Sequence, residues 1–266
     1  MAVDSQIRPA PAISAQVITG FGFLILYIPL ISLVVYSFLG PSNGFGEPRE
    51  WTFYWYRKLF TNTEVLGALN VSLFVGIWST IGATILGTAA ALALTRTRFP
   101  GRKIFEVLTY VPLIMPEIVL GIALLVWFVF LNVTLGSVSI ILAHITFSIS
   151  YVIITVKARL HDFDDSLEEA AQDLGATPWM TFWKVTLPLI WPGVLSGALM
   201  AFTLSFDDFL ITYFTAGVGS DTLPLKIYSM IKFGVSPEIN ALSTIIMVVT
   251  LFLVGLLFKP LKNLKI

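Results

Sequence analysis

Six apolar runs recur along the chain, at roughly 15–39, 66–95, 104–131, 136–156, 193–216 and 239–258, each long enough to cross ~30 Å of hydrocarbon as a helix. Lipid offers no partner to an unpaired backbone amide, so spanning runs of this length must be helical. The alternating pattern of a transmembrane barrel is absent. The expected fold is therefore all-α, a polytopic membrane protein of about six transmembrane helices in a single domain over residues 1–266. Only 12% of the residues are charged, about half the ~25% of a soluble domain. That leaves too little polar surface to cover a soluble core, which disfavours a soluble enzyme, a secreted module and a nucleic-acid binder. The first run is too long for a cleaved signal and lacks a clear cleavage site, so it reads as a retained span. Absence of cysteine excludes disulfides, thiolate metal sites and cysteine nucleophiles.

Net charge is zero, with 16 Lys+Arg against 16 Asp+Glu, so placement of the charges says more than their sum. Arg96, Arg98, Arg102 and Lys103 follow the second run, Lys157, Arg159 and Lys184 lie between the fourth and fifth, and Lys259, Lys262 and Lys265 follow the sixth. Arg8 precedes the first. The opposite side has Arg49, Arg57, Lys58, Lys226 and Lys232. The positive-inside rule then puts both termini in the cytoplasm. The larger outer loops are 40–65 and 217–238. The first holds WTFYWYRKLF, Trp51 to Phe60, read as an amphipathic aromatic segment at the membrane interface; contact with a docking partner or a cationic ligand is the alternative.

Residues 157–192 are polar enough to leave the bilayer, yet patterned as two short helices. Ser166 with Glu169 makes a capping box, Ala170 and Ala171 favour helix, and Gly175 stands where a C-terminal cap belongs. Thr177 and Pro178 suit the N-cap and first position of a second helix, which Pro188 is expected to end. The order Glu169-Ala170-Ala171, three residues, Gly175, nine residues, Val185, one residue, Leu187-Pro188 resembles the EAA loop of ABC-importer permeases, with Val185 where that family usually has Ile. The resemblance covers nearly the whole chain and is nearest to spermidine/putrescine importer permeases of the PotC type. It is carried by residues 143–160, 167–177, 202–214 and 223–245, and more loosely by the first third.

The resemblance implies a MetI-like fold and a pathway shared with a second permease subunit, most simply a heterodimer. It also implies two cytoplasmic ATPase subunits docked on the elbow through Ser166, Glu169, Ala170, Ala171, Gly175, Leu187 and Pro188. A periplasmic binding protein would deliver the substrate, a polyamine such as spermidine or putrescine. No G-x-x-x-x-G-K-[ST] occurs in the chain, so it is expected to hold no cofactor and to leave ATP and Mg to its partners, with no enzymatic centre of its own.

Three acids fall inside the predicted spans: Glu117, Asp207 and Asp208. A charge near a bilayer centre costs about 2.5–3.5 kcal/mol, which makes each a candidate for the substrate path. Counting ~1.5 Å per residue from the cytoplasmic ends puts Glu117 and Asp207 in one layer about 20 Å deep. Pro112 and Pro116 interrupt the third run beside Glu117, as at transport sites. Related permeases place acids at the Glu117 and Asp207 positions, usually Asp where this chain has Glu117. On that basis Asp207 is expected to face the path while its neighbour Asp208 bonds a helix or a partner subunit. Spaced carboxylates and aromatic faces suit a polyamine. His144 is read as a packing histidine, with a proton relay as the alternative. Lys226 and Tyr228 are read either as interfacial residues or as contacts for the binding protein. Competing functions are import of another small cationic or opine-like solute, and an ion-gradient-driven secondary transporter.

Overall fold

The computed structural model describes residues 12–41, 50–161, 163–233 and 237–261. Arg8, Arg49, Lys262 and Lys265, used above to orient the chain, lie outside the described residues, as does the side chain of Lys259. In chain order the helices are α1 (Ala12–Ser37), α2 (Tyr54–Thr61), α3 (Thr63–Arg96), α4 (Arg102–Ile114), α5 (Glu117–Phe130), α6 (Ser137–His161), α7 (Ser166–Asp173) and α8 (Pro178–Thr181). A π-turn (Phe182–Thr186) leads into α9 (Leu187–Asp207), followed by α10 (Leu210–Thr215), α11 (Leu223–Phe233) and α12 (Glu238–Leu261). Among the described residues no strand forms beyond an isolated bridge between Leu39 and Trp51.

Four helical stretches there are long and apolar enough to cross a membrane: Gln16–Ser37, Thr63–Arg96, Ser137–His161 and Pro178–Asp207. The α4–α5 pair makes a fifth, but its axis turns by 113° at the break. The sixth expected span corresponds to α12, whose side chains are described only as far as Leu251.

Contacts divide the chain into two compact units, Met1–Thr63 with Met230–Ile266, and Glu64–Ser229. In the first, α12 packs against α1 and α2. The Trp55 indole N–H donates to the Leu39 carbonyl at 2.7 Å, and buried Glu238 accepts from Asn62 at 2.8 Å and pairs with Lys58 at 3.5 Å. Tyr54 to Phe60 of the aromatic segment lie on α2, which turns Trp55 and Leu59 inward and leaves Tyr54 and Phe60 exposed, with Trp51 and Phe53 exposed ahead of it.

The second unit has at its centre a cluster in which α3, α6 and α9 meet through Ala83, Ala91, Val152, Val156, Ile190 and Val194. Small residues let membrane helices approach closely where no hydrophobic effect drives them together. Apolar side chains such as Phe74, Ile85, Val126 and Phe130 point outward, as suits a chain whose solvent is lipid. Residues 217–238 are not all loop. Leu223–Phe233 is helical as α11, with Pro224 in its first turn, where a missing N–H costs nothing. Lys226 is ion-paired with Glu64, and Tyr228 packs on Phe209 with centroids 4.6 Å apart.

Candidate functional site: an acidic cleft between two helix breaks

The fifth expected span is not continuous. Helix α9 ends at Asp207, Asp208 is extended (φ −63°, ψ 129°), and α10 restarts at Leu210. Local chemistry produces the break. The Asp208 carboxylate accepts the backbone N–H of Ile211 (3.3 Å) and of Thr212 (2.7 Å), two donors that an unbroken helix would give to the carbonyls of residues 207 and 208. The α4–α5 break has a different cause. Met115, preceding a proline, is driven into the extended region (ψ 133°), and Pro116 has no N–H to continue the ladder. Irregular backbone at membrane depth is tolerated where it lines a cavity or is buried in protein.

The two breaks border one cleft of about 280 Å³. Glu117, in the first turn of α5, and Asp207, at the end of α9, are exposed there. Phe147 and Tyr151 of α6 supply aromatic walls, and among the described residues no Lys or Arg lines it. Glu117 gains from the positive end of the α5 dipole, whereas Asp207 sits at the negative end of α9. That leaves Asp207 the carboxylate with more to gain from a cation. What brings the elements together is close approach of α5 to α10. A Cβ on Gly121 would lie 2.9 Å from the Phe214 ring and 3.4 Å from the Ile211 Cα, so any larger residue would force Phe214 to shift. Leu124, Phe128, Ala143, Phe147 and Ile211 complete the packing behind the cleft. Glu117 and Asp207 therefore border one cleft, beside the bent α4–α5 pair.

Asp208 also borders the cleft, but it is 9% exposed and engaged on several sides. Besides the two N–H groups it accepts the Thr212 hydroxyl at 2.8 Å, and the His144 Nε2 stands 3.3 Å from the same oxygen. His144 is fully buried, with Nδ1 2.6 Å from Ser205 Oγ and Nε2 3.0 Å from Thr212 Oγ1. Sequence reading placed His144 within a helix but not against Asp208. The four-residue step from Asp208 to Thr212 was the available signal, and it read as continuous helix.

The elbow departs from expectation in two respects. Ser166 is the first helical residue of α7 and not its cap. Its N–H bonds the Asp164 carboxylate at 3.0 Å, so an Asx turn replaces the expected capping box. The Ser166 hydroxyl and N–H beside Asp164 hold that carboxyl below its ordinary range. Nor does Pro188 end the second helix. The Leu187 N–H reaches back five residues to the Phe182 carbonyl, and the widened π-turn accommodates the proline that follows. One continuous helical stretch of 30 residues thus runs from Pro178 to Asp207. The other caps match expectation. Gly175 is left-handed (φ 88°) with the Ala176 N–H on the Ala171 carbonyl, and Thr177 Oγ1 accepts from the Met180 N–H at 3.3 Å.

Glu169, Ala170 and Gly175 are exposed on the elbow, Ala171 and Leu187 are half-buried, and Pro188 is exposed. Beside them stand Leu174 at 90% and Trp179 at 71% exposure. Glu168, which sequence reading passed over, turns the other way. It makes two short contacts to Arg96 (2.5 and 2.6 Å) and accepts the Thr186 hydroxyl, tying α7 to the end of α3 and to the π-turn.

Residues 83–263 match the family "Binding-protein-dependent transport system inner membrane component". The chain is 42% identical over 238 residues to the putrescine transport system permease protein PotI of Escherichia coli K12, covering 87% of this chain and 84% of that one. It is 44% identical over 230 residues to the spermidine/putrescine transport system permease protein PotC of the same strain, covering 86% of each. Identity to PotC of Haemophilus influenzae is 40%, covering 87% of this chain and 90% of that one. In fold it resembles a chain of the bacterial ABC transporter that imports the acidic polysaccharide alginate, with a TM-score of 0.70, 17% identity and 96% of each chain covered. An amino acid ABC transporter gives 0.59 at 16% identity, over 79% of this chain and 98% of that one. The chain belongs to the family of binding-protein-dependent transport system inner membrane components, and is a non-catalytic membrane permease subunit of an ABC importer.

Proposed function

We propose that this permease carries polyamines, of the putrescine and spermidine kind, inward through the cleft between the α4–α5 and α9–α10 breaks. The observation that carries the substrate class is the pairing of two exposed carboxylates, Glu117 and Asp207, with aromatic walls and, among the described residues, no lining base. A primary ammonium beside a carboxylate and an aromatic face is attracted by both. The cleft lies at the small end of ligand pockets, on the order of 300–1,000 Å³, as suits a slender solute. Relatives at 40–44% identity named for putrescine or spermidine/putrescine transport support the same reading. An acidic polysaccharide, the cargo named for the fold neighbour, would meet like charge here.

The importer is completed by a second, different permease chain and by a periplasmic binding protein. Two cytoplasmic ATPase subunits bind ATP and Mg and dock on the exposed elbow face. Both termini face the cytoplasm. Coupling is mechanical. The Pro178–Asp207 stretch is ~45 Å long at 1.5 Å per residue, so displacement of its elbow end is delivered to Asp207 at the other. The two breaks are where the helices can bend as the pathway alternates between outward and inward openings.

Uptake of labelled putrescine by the assembled importer tests the substrate class. Unlabelled spermidine should compete, and the neutral diol of the same chain length as putrescine should not. Equal competition by the diol would refute recognition of charge.

A further inference from the structure

We propose that His144 is a positioning residue for passage of the cation: its ring pins both sides of the α9–α10 break, engaging Asp208 and so leaving Asp207 as the carboxylate turned into the cleft. This rests on the polyamine reading above.

The donors can be counted. The Thr212 hydroxyl hydrogen is committed to Asp208 Oδ2 at 2.8 Å, so it cannot also be given to the histidine. The hydrogen in the contact between His144 Nε2 and Thr212 Oγ1 therefore belongs to the ring, which shares it with Asp208 Oδ2. In the neutral ring Nδ1 then accepts from Ser205 Oγ, which stands 2.9 Å from Ser79 Oγ, itself 3.2 Å from the Gly76 carbonyl. Ser205 lies on α9 ahead of the break, and Thr212 on α10 beyond it. One imidazole on α6 thus holds both ends, and Ser79 carries the anchor on to α3. The other bonds to the Asp208 carboxylate come from α10 itself, so they would follow α10 wherever it moved. The histidine ties the two sides of the break to α6, beside the Ser139 hydroxyl on the Thr215 carbonyl at 2.7 Å, which holds only the far end of α10.

Two readouts test this in the assembled importer; this chain has no cysteine of its own, so the first is read on this chain and against the same importer without Asp207→Cys. With Asp207→Cys, labelling by a cationic thiosulfonate should slow about tenfold on adding His144→Leu, the scale of losing one charge-assisted hydrogen bond. It should change less than about threefold on adding His144→Gln, whose amide reproduces the ring donor. Ser205→Ala, which frees only the α9 side, should slow it in the same direction and serves if His144→Leu is not recovered with its partners. Equal labelling rates across these variants would overturn the proposal.

In the otherwise natural chain, His144→Leu should raise the apparent KM for putrescine about tenfold, and should add little once Asp208→Asn is present, because both act through one carboxylate. Full multiplication of the two effects would also overturn it. If labelling shifts as expected while Asp207→Asn leaves putrescine uptake unchanged, the cleft reading is what fails, and the positioning of residue 207 stands.

Discussion

Asp207 and Asp208 are adjacent and chemically identical, yet one is exposed to the cleft and the other is bonded on several sides. The difference is energetic. An unmet buried donor costs about 1–3 kcal/mol, and Asp208 meets two backbone donors and two side-chain donors at once. Asp208→Ala is therefore expected to destabilise the purified protein by about 2 kcal/mol, and Asp207→Ala by no more than about 0.5 kcal/mol, as for a surface change. Denaturation of the two variants in the same detergent checks the ordering, and equal losses would contradict it. The three acids were conspicuous in the sequence because charge is costly in lipid. Which member of the pair lies free was not to be had from a 100° helical step, because the helix stops between them. The stop itself comes from carboxylate-to-backbone bonds that no hydropathy pattern records.

At the scale of elements, the elbow was the most legible part, since Gly175, Thr177 and Pro178 act through local backbone rules. Its two departures, at Ser166 and Pro188, turn on a side-chain acceptor two residues upstream and on a π-turn, both invisible to spacing. The Asp164 carboxyl, held low by Ser166, stabilises the start of α7. This contribution is fully present above the unfolded value of ~3.9 and is lost as pH falls through the lower folded one. Amide exchange at Ser166 and Leu167, corrected for intrinsic rate, should accelerate over that acid window, and Asp164→Asn should remove the acceleration.

Glu168 sets a second expectation. It joins α3 to α7 and the π-turn through Arg96 and Thr186. Arg96→Gln is expected to leave ATP hydrolysis by the assembled importer near its natural rate while lowering the putrescine carried per ATP severalfold. An unchanged ratio would show that the tie is not part of coupling.

At the scale of the whole molecule, apolar runs and composition made an all-helical membrane protein legible, and the elbow pattern made its kinship legible. The folding back of α5 on α10 was not, because it depends on a 113° turn and a close contact at Gly121, between segments distant in sequence. That folding makes Glu117 and Asp207 two walls of one cleft.

The most direct test is uptake of labelled putrescine by the reconstituted importer carrying Glu117→Gln, Asp207→Asn or both, at matched amounts of assembled complex. Each single change should raise the apparent KM about tenfold, on the scale of one ionic hydrogen bond of ~1.5 kcal/mol, and the double change should nearly abolish uptake. Natural uptake in the double variant would contradict the account.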